Sequence, residues 1–191
     1  MPDKADFVKF LTTDPDIAKI NFKFLSYTVY PTGYSGDIAN CINAGHIGIT
    51  RRFSDLGYDD TGGSYIPGDN KYSLSRSFDL TKVFYQIILV HESTHALQDY
   101  QRLGSVSRAE AEAVAYVAEA VYVQAKGYSP IKDPKTHLPD PIRAAADTVA
   151  TAILGGSYLV PPHLAAVVTS AVKTSPHYGS LPPLLSFNGV G

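Results

Sequence analysis

Three observations predict an α+β fold for this chain. Strand-like runs of aromatic and β-branched residues are confined to residues 1–79, two long helix-like stretches follow at 80–126, and Ala- and Val-rich helices between Gly-Gly and Pro-Pro pairs occupy 127–191. The 191 residues, 45% hydrophobic and 18% charged, suit one domain with its own core. A net charge of -2 offers no basic footprint, so nucleic-acid binding is not expected. The single cysteine, Cys41, excludes an intramolecular disulfide and is a small buried residue by default. The charged N-terminus lacks a long apolar core, so no signal peptide is expected. No apolar run reaches membrane-spanning length. A cytoplasmic protein, or one exported by a non-classical or effector route, fits these features.

Residues 3–13 read as a short helix punctuated by Asp14-Pro15-Asp16. Ile20 to Tyr30 is expected as one strand, ended by Pro31-Thr32-Gly33, with a helical turn or loop from Tyr34 to Ala44. His46 to Phe53 reads as a second strand with Arg51 and Arg52 at its exit, and Asp59 to Gly63 as loop. Ser64 to Ser75 has the pattern of a hairpin turning at Pro67-Gly68-Asp69-Asn70. Asp79 is expected to cap a helix over 80–103 that stops at Gly104. Ser107-Arg108-Ala109-Glu110 has the form of a capping box opening a helix over 108–126, with Gly127 behind it. Residues 128–141 form an irregular connection, helices are expected at 141–154 and 162–173, and the Pro- and Gly-rich tail from Pro176 is expected to lie loosely over the body.

The first long helix carries His91-Glu92-Ser93-Thr94-His95. Residues i and i+4 lie on one helical face, so His91 and His95 can grip one metal ion. Zinc suits two neutral imidazoles, and a catalytic site keeps three protein ligands and an open position for water. Glu92, next to the first ligand, is placed to take that water's proton. The bland alternative is two partly buried helix histidines.

A third ligand is needed. A metzincin would continue with Gly and then His or Asp, but those positions are Gln98 and Gln101. Asp99 lies one turn further on the same face, where three ligands in a line converge poorly; it could instead orient His95 or sit at a solvated helix end. The glutamates of this chain are Glu92, Glu110, Glu112 and Glu119, all on or just after the motif. With Glu110 assigned to the capping box, Glu112 is preferred on helical geometry, flanked by Ala113 for close helix packing. Glu119, two turns on along that face, is a supporting partner or substitute ligand.

HESTHALQD followed by EAEAVAYVAEA resembles the compact bacterial gluzincin-type metallopeptidase domains, over about residues 64–125. The resemblance implies a zincin-like architecture: a small mixed or antiparallel sheet packed on the active-site helix and a following ligand helix, with extra C-terminal helices beyond. It also implies Glu112 as third ligand and a role among toxin-like effectors.

A stabiliser of the transition-state oxyanion is also expected, with Tyr116, Tyr72, His177 and Tyr178 as candidates, each more simply a core or surface aromatic. His46, His137 and His163 lack ligand spacing. Arg51-Arg52 could meet an acidic substrate group. If the strand at 71–75 is the sheet edge, an extended peptide could add to it. The expected activity is zinc-dependent hydrolysis of a peptide or protein substrate by 1–191 acting as one domain; a non-catalytic binding module of the same shape and an amidase acting on cell-wall peptides are the alternatives.

Overall fold

The computed structural model describes residues 3–51, 62–128 and 140–190. Arg52, Phe53, most of the loop expected at 59–63, His137 and nearly all of the connection at 128–141 lie outside the described residues. The architecture is α+β, with short strands gathered in the first part of the chain and helices dominating the rest.

Helix α1 (Lys4–Thr13) opens with a reciprocal cap, in which the Asp6 amide donates to Asp3 and the Asp3 amide donates to Asp6, and it closes at Asp14. The single strand expected over 20–30 is instead a hairpin of β1 (Phe22–Phe24) and β2 (Tyr27–Val29). The reason is phase. The buried positions are 22 and 24, then 27 and 29, and one straight strand cannot keep both pairs on one face. Leu25, at φ 53, makes the reversal. A π-helical turn at Gly33–Ile38 then runs into α2 (Ala39–Ala44). Gly33 approaches the helix that carries Leu97 so closely that a Cβ would come within 2.8 Å of Leu97 Cδ2.

Strands β3 (Gly48–Arg51), β4 (Gly63–Ile66) and β5 (Lys71–Leu74) form a mixed sheet in the order β3-β5-β4. The β4–β5 hairpin turns at Pro67–Asp69, as expected, with Asn70 left-handed. β3 runs parallel to β5 on its other side, so β5 (Lys71–Leu74) is the middle of the sheet and β3 and β4 are its edges. Local sequence carries no trace of that second pairing.

Helix α3, which carries the His91-to-His95 motif, spans Val83–Tyr100, shorter than expected at both ends. Asp79 does not cap it; its carboxylate accepts from the Thr81 amide and hydroxyl in a turn before the helix. Arg102, at φ 54, ends the helical path before Gly104. Strand β6 (Ser105–Ser107) and helix α4 (Arg108–Ala125) follow. The expected capping box does not form, because Ser107 is the last residue of β6 and pairs with Leu184, while the Arg108 amide donates to Pro183 O at 2.8 Å. A distant carbonyl thus serves one of the orphan donors of the first turn.

α4 is apolar nearly all round and is correspondingly buried between α3, α5 (Pro141–Leu154) and α6 (Pro162–Thr174). α5 begins on Asp140, which accepts from the Ile142 and Arg143 amides, with Pro141 at the first helical position. The tail is not loose. It forms a short helix α7 (Pro176–Gly179) and a strand β7 (Leu184–Ser186) antiparallel to β6, with Phe187 and Val190 buried. Among the described residues no helix is long and apolar enough to cross a membrane.

Candidate metal centre

His91, His95 and Glu112 converge and are all buried, and together they could hold a metal ion. Glu112 Oε2 lies 3.4 Å from Nε2 of each histidine. A tetrahedral ion with bonds of about 2.0–2.1 Å places its ligands about 3.3–3.4 Å apart, so these two edges already have the required length. α3 supplies the two histidines from one face, and α4 supplies Glu112, whose neighbours Ala111 and Ala113 are fully buried.

The outer nitrogens fix the rings. His91 Nδ1 donates to Glu119 Oε2 at 3.2 Å, and His95 Nδ1 donates to Gln98 Oε1 at 3.0 Å. Gln98 is oriented in turn because its amide nitrogen donates to Ala111 O. With hydrogen held on Nδ1, Nε2 of each ring is the nitrogen turned toward Glu112, the one that would bind a metal once its own proton is displaced. Arg143 Nε donates to Glu119 Oε1 at 2.7 Å, extending the chain of contacts from His91 through α4 to α5.

Burial lowers the basicity of both imidazoles, but Glu112 overrides it with a hydrogen bond and its charge, and Glu119 adds to the effect on His91. The His91 pKa is pushed up to about 10, and that of His95 is raised. Burial would raise the Glu112 carboxyl, yet the two histidines hold it well below the usual range. Protons thus balance this carboxylate, and a divalent cation would replace them. Glu92 is raised by burial, against the pull of His91, His95 and the Tyr65 amide. That amide, on edge strand β4, donates to Glu92 Oε2 at 2.6 Å.

Two cavities meet at this point. One, of about 290 Å³, is lined by Phe84, Arg143 and Asp140 together with His91 and Glu92; the other, of about 220 Å³, lies between β4 and the tail and reaches His95 and Glu112. His177 and Tyr178 line both.

The sequence-expected residues divide accordingly. His91, Glu92, His95 and Glu112 come together. Glu119 takes the supporting place and not the ligand's. Tyr116 stands edge-on to His91, with ring centroids 4.8 Å apart, and its hydroxyl is 3.1 Å from that of Tyr178. Tyr72 does not reach the site: it is fully buried, with its hydroxyl on Ser93 Oγ at 3.0 Å and its ring against Phe7 and Tyr65. Asp99 neither orients His95 nor meets solvent. It is fully buried and accepts from the Tyr65 hydroxyl and the Gly189 amide, each at 2.8 Å. Glu110 neither caps α4 nor belongs to the His91, His95 and Glu112 group. His46 and His163 are exposed, and Arg51 donates to Ser75 O at the end of β3.

Sequence reasoning missed Gln98, Tyr65 and Arg143. Gln98 had a usable signal, since i+3 from His95 is the same helical face. Tyr65 contributes a backbone amide and Arg143 a contact across 24 residues, neither of which a local pattern can reveal.

No family model, curated protein or solved structure matches the chain. The functional reading therefore stands on the geometry of the site.

Two outcomes follow from these contacts. Glu119→Ala should weaken metal binding about tenfold to a hundredfold, through the loosened His91 ring, as measured by chelator competition. Asp99→Ala should lower stability by about 2 kcal/mol or more in urea denaturation, because two donors lose their acceptor; Asp99→Asn, which keeps one acceptor oxygen, should cost less.

Proposed function

We propose that the protein is a zinc-dependent peptidase of zincin-like architecture, with His91, His95 and Glu112 as ligands and Glu92 as general base. The observation that carries this reading is the conjunction of a three-residue ligand set, with Glu112 at tetrahedral distance from both histidines, and a separate partly buried carboxylate, Glu92, beside it and facing both cavities. A purely structural site has no use for that carboxylate. The donor set of two imidazoles and one carboxylate suits zinc.

Zinc, when bound, supplies Lewis acidity and lowers the pKa of water toward neutrality. The rest is done by the chain. Glu92 Oε2 is pinned by the Tyr65 amide, leaving Oε1 to take the proton of the attacking water and pass it to the departing amine. Tyr178 is the candidate donor to the carbonyl oxygen as charge develops there. Its partner Tyr116 can donate into the Tyr178 oxygen, which frees the Tyr178 hydrogen for the substrate. Burial raises the pKa of both hydroxyls, so each keeps its proton. A substrate segment crossing from one cavity to the other carries its scissile bond past Glu92.

The test is metal analysis combined with turnover of a peptide library, with and without chelator. About one zinc per chain and chelator-sensitive cleavage are expected. A chain that neither carries zinc nor takes it up would overturn the reading.

A further inference from the structure

The two cavities beside Glu92 differ in the state of their arginines. In the larger, Arg143 is committed to Glu119 at 2.7 Å and to Asp140 at 3.5 Å. In the smaller, Arg108 projects from the first turn of α4, one helical turn before Glu112. Its Nε donates to Pro182 O at 2.7 Å, which fixes the plane of the guanidinium against the tail. Among the described residues it forms no ion pair, and its terminal nitrogens have no acceptor. The wall beside it toward the tail is apolar, made by Pro67, Leu181, Leu185 and Phe187, while His91, Glu92, His95 and Glu112 line the same cavity on the metal-centre side.

A fixed guanidinium with open donors, set beside an apolar wall, is arranged to take a carboxylate in two parallel hydrogen bonds. At about 220 Å³ the cavity is smaller than a typical drug-sized pocket and accommodates a single residue. The geometry points to Arg108 as a specificity-determining residue that selects substrates carrying a carboxylate next to an apolar side chain, on the Glu112 side of the cleavage point. The carboxylate comes from an acidic side chain or from the end of a peptide. This inference rests on the peptidase reading for its meaning, but binding tests it independently of turnover.

The experiment measures calorimetric binding of three peptides to zinc-loaded protein carrying Glu92→Gln, so that no cleavage intervenes. The probes are acetyl-Gly-Ala-Leu-Glu-Ala-amide, its Gln counterpart, and acetyl-Gly-Ala-Leu with a free carboxylate. At least one of the two carboxylate peptides should bind about tenfold more tightly than the Gln peptide, and which one does so identifies the source of the charge. Adding Arg108→Gln should remove the preference, so that the carboxylate peptides bind no more tightly than the Gln peptide. Equal binding of all three, no binding at millimolar concentration, or a preference that survives Arg108→Gln would each overturn the proposal. Turnover by the parent protein without any carboxylate preference would overturn it and leave the peptidase reading standing. Carboxylate-selective binding without turnover would do the reverse.

Discussion

Glu92→Gln should abolish peptide hydrolysis while leaving the metal in place. The amide is nearly isosteric, and its oxygen can still accept from the Tyr65 amide at the position where Glu92 Oε2 now lies, so the side chain should hold its orientation. What it cannot do is accept the proton of the attacking water. General-base catalysis contributes roughly 10²–10⁴-fold, and a fall of at least about a hundredfold in kcat/KM is expected. Metal content and thermal midpoint should match the parent. A variant that cleaves as well as the parent would remove Glu92 from the mechanism, whatever the metal does.

Glu112→Ala should have the second large effect, on affinity for the metal. It deletes the oxygen that sits 3.4 Å from both histidine nitrogens, leaving two ligands from one helix and none from the other. The loss should exceed the tenfold to hundredfold expected when a supporting partner such as Glu119 is removed. Chelator competition on the two variants and the parent gives the ranking. Glu110→Ala is the matched control: with no capping box formed, it should change stability by less than about 0.5 kcal/mol and leave the metal affinity alone. If affinity survives Glu112→Ala and falls with Glu119→Ala, the roles of these two carboxylates are exchanged.

How far the sequence could be read depended on how local each signal was. His91, Glu92 and His95 share one helical face, and Glu112 lies on the next helix, so period 3.6 and two helix boundaries suffice to bring them together. The helices at 141–154 and 162–174 were legible from Asp140-Pro141 and Pro161-Pro162, which start them, and from Gly155-Gly156, which ends the first. The failures share one cause. Ser107 has the sequence of a cap but is drawn into β6 by Leu184, 77 positions away; β5 has the sequence of an edge but is covered by β3; and Asp99 has the look of a solvated helix end but is buried under Tyr65 and Gly189. In each, a contact distant in sequence overrides a local preference, and composition gave no warning of it. The tail misled for a related reason. Its prolines and glycines suit an extended strap as well as a free end, and only its partners, Gly104 O and Asp99, distinguish the two.

That strap has a consequence for the order in which the molecule assembles. The ligand set spans residues 91 to 112, two neighbouring helices joined by a short connection, and closing so small a loop is fast and entropically cheap. The walls of the smaller cavity wait for residues 181 to 187, and the Asp99–Gly189 hydrogen bond closes a separation of 90 residues. A nascent chain released only as far as α6 would therefore already own its ligands, yet it would have neither Tyr178 nor a walled cleft. The two helices that carry His91, His95 and Glu112 could form while nothing is held against them, and the cleft on which the proposed activity depends would arrive last, with the final segment to dock.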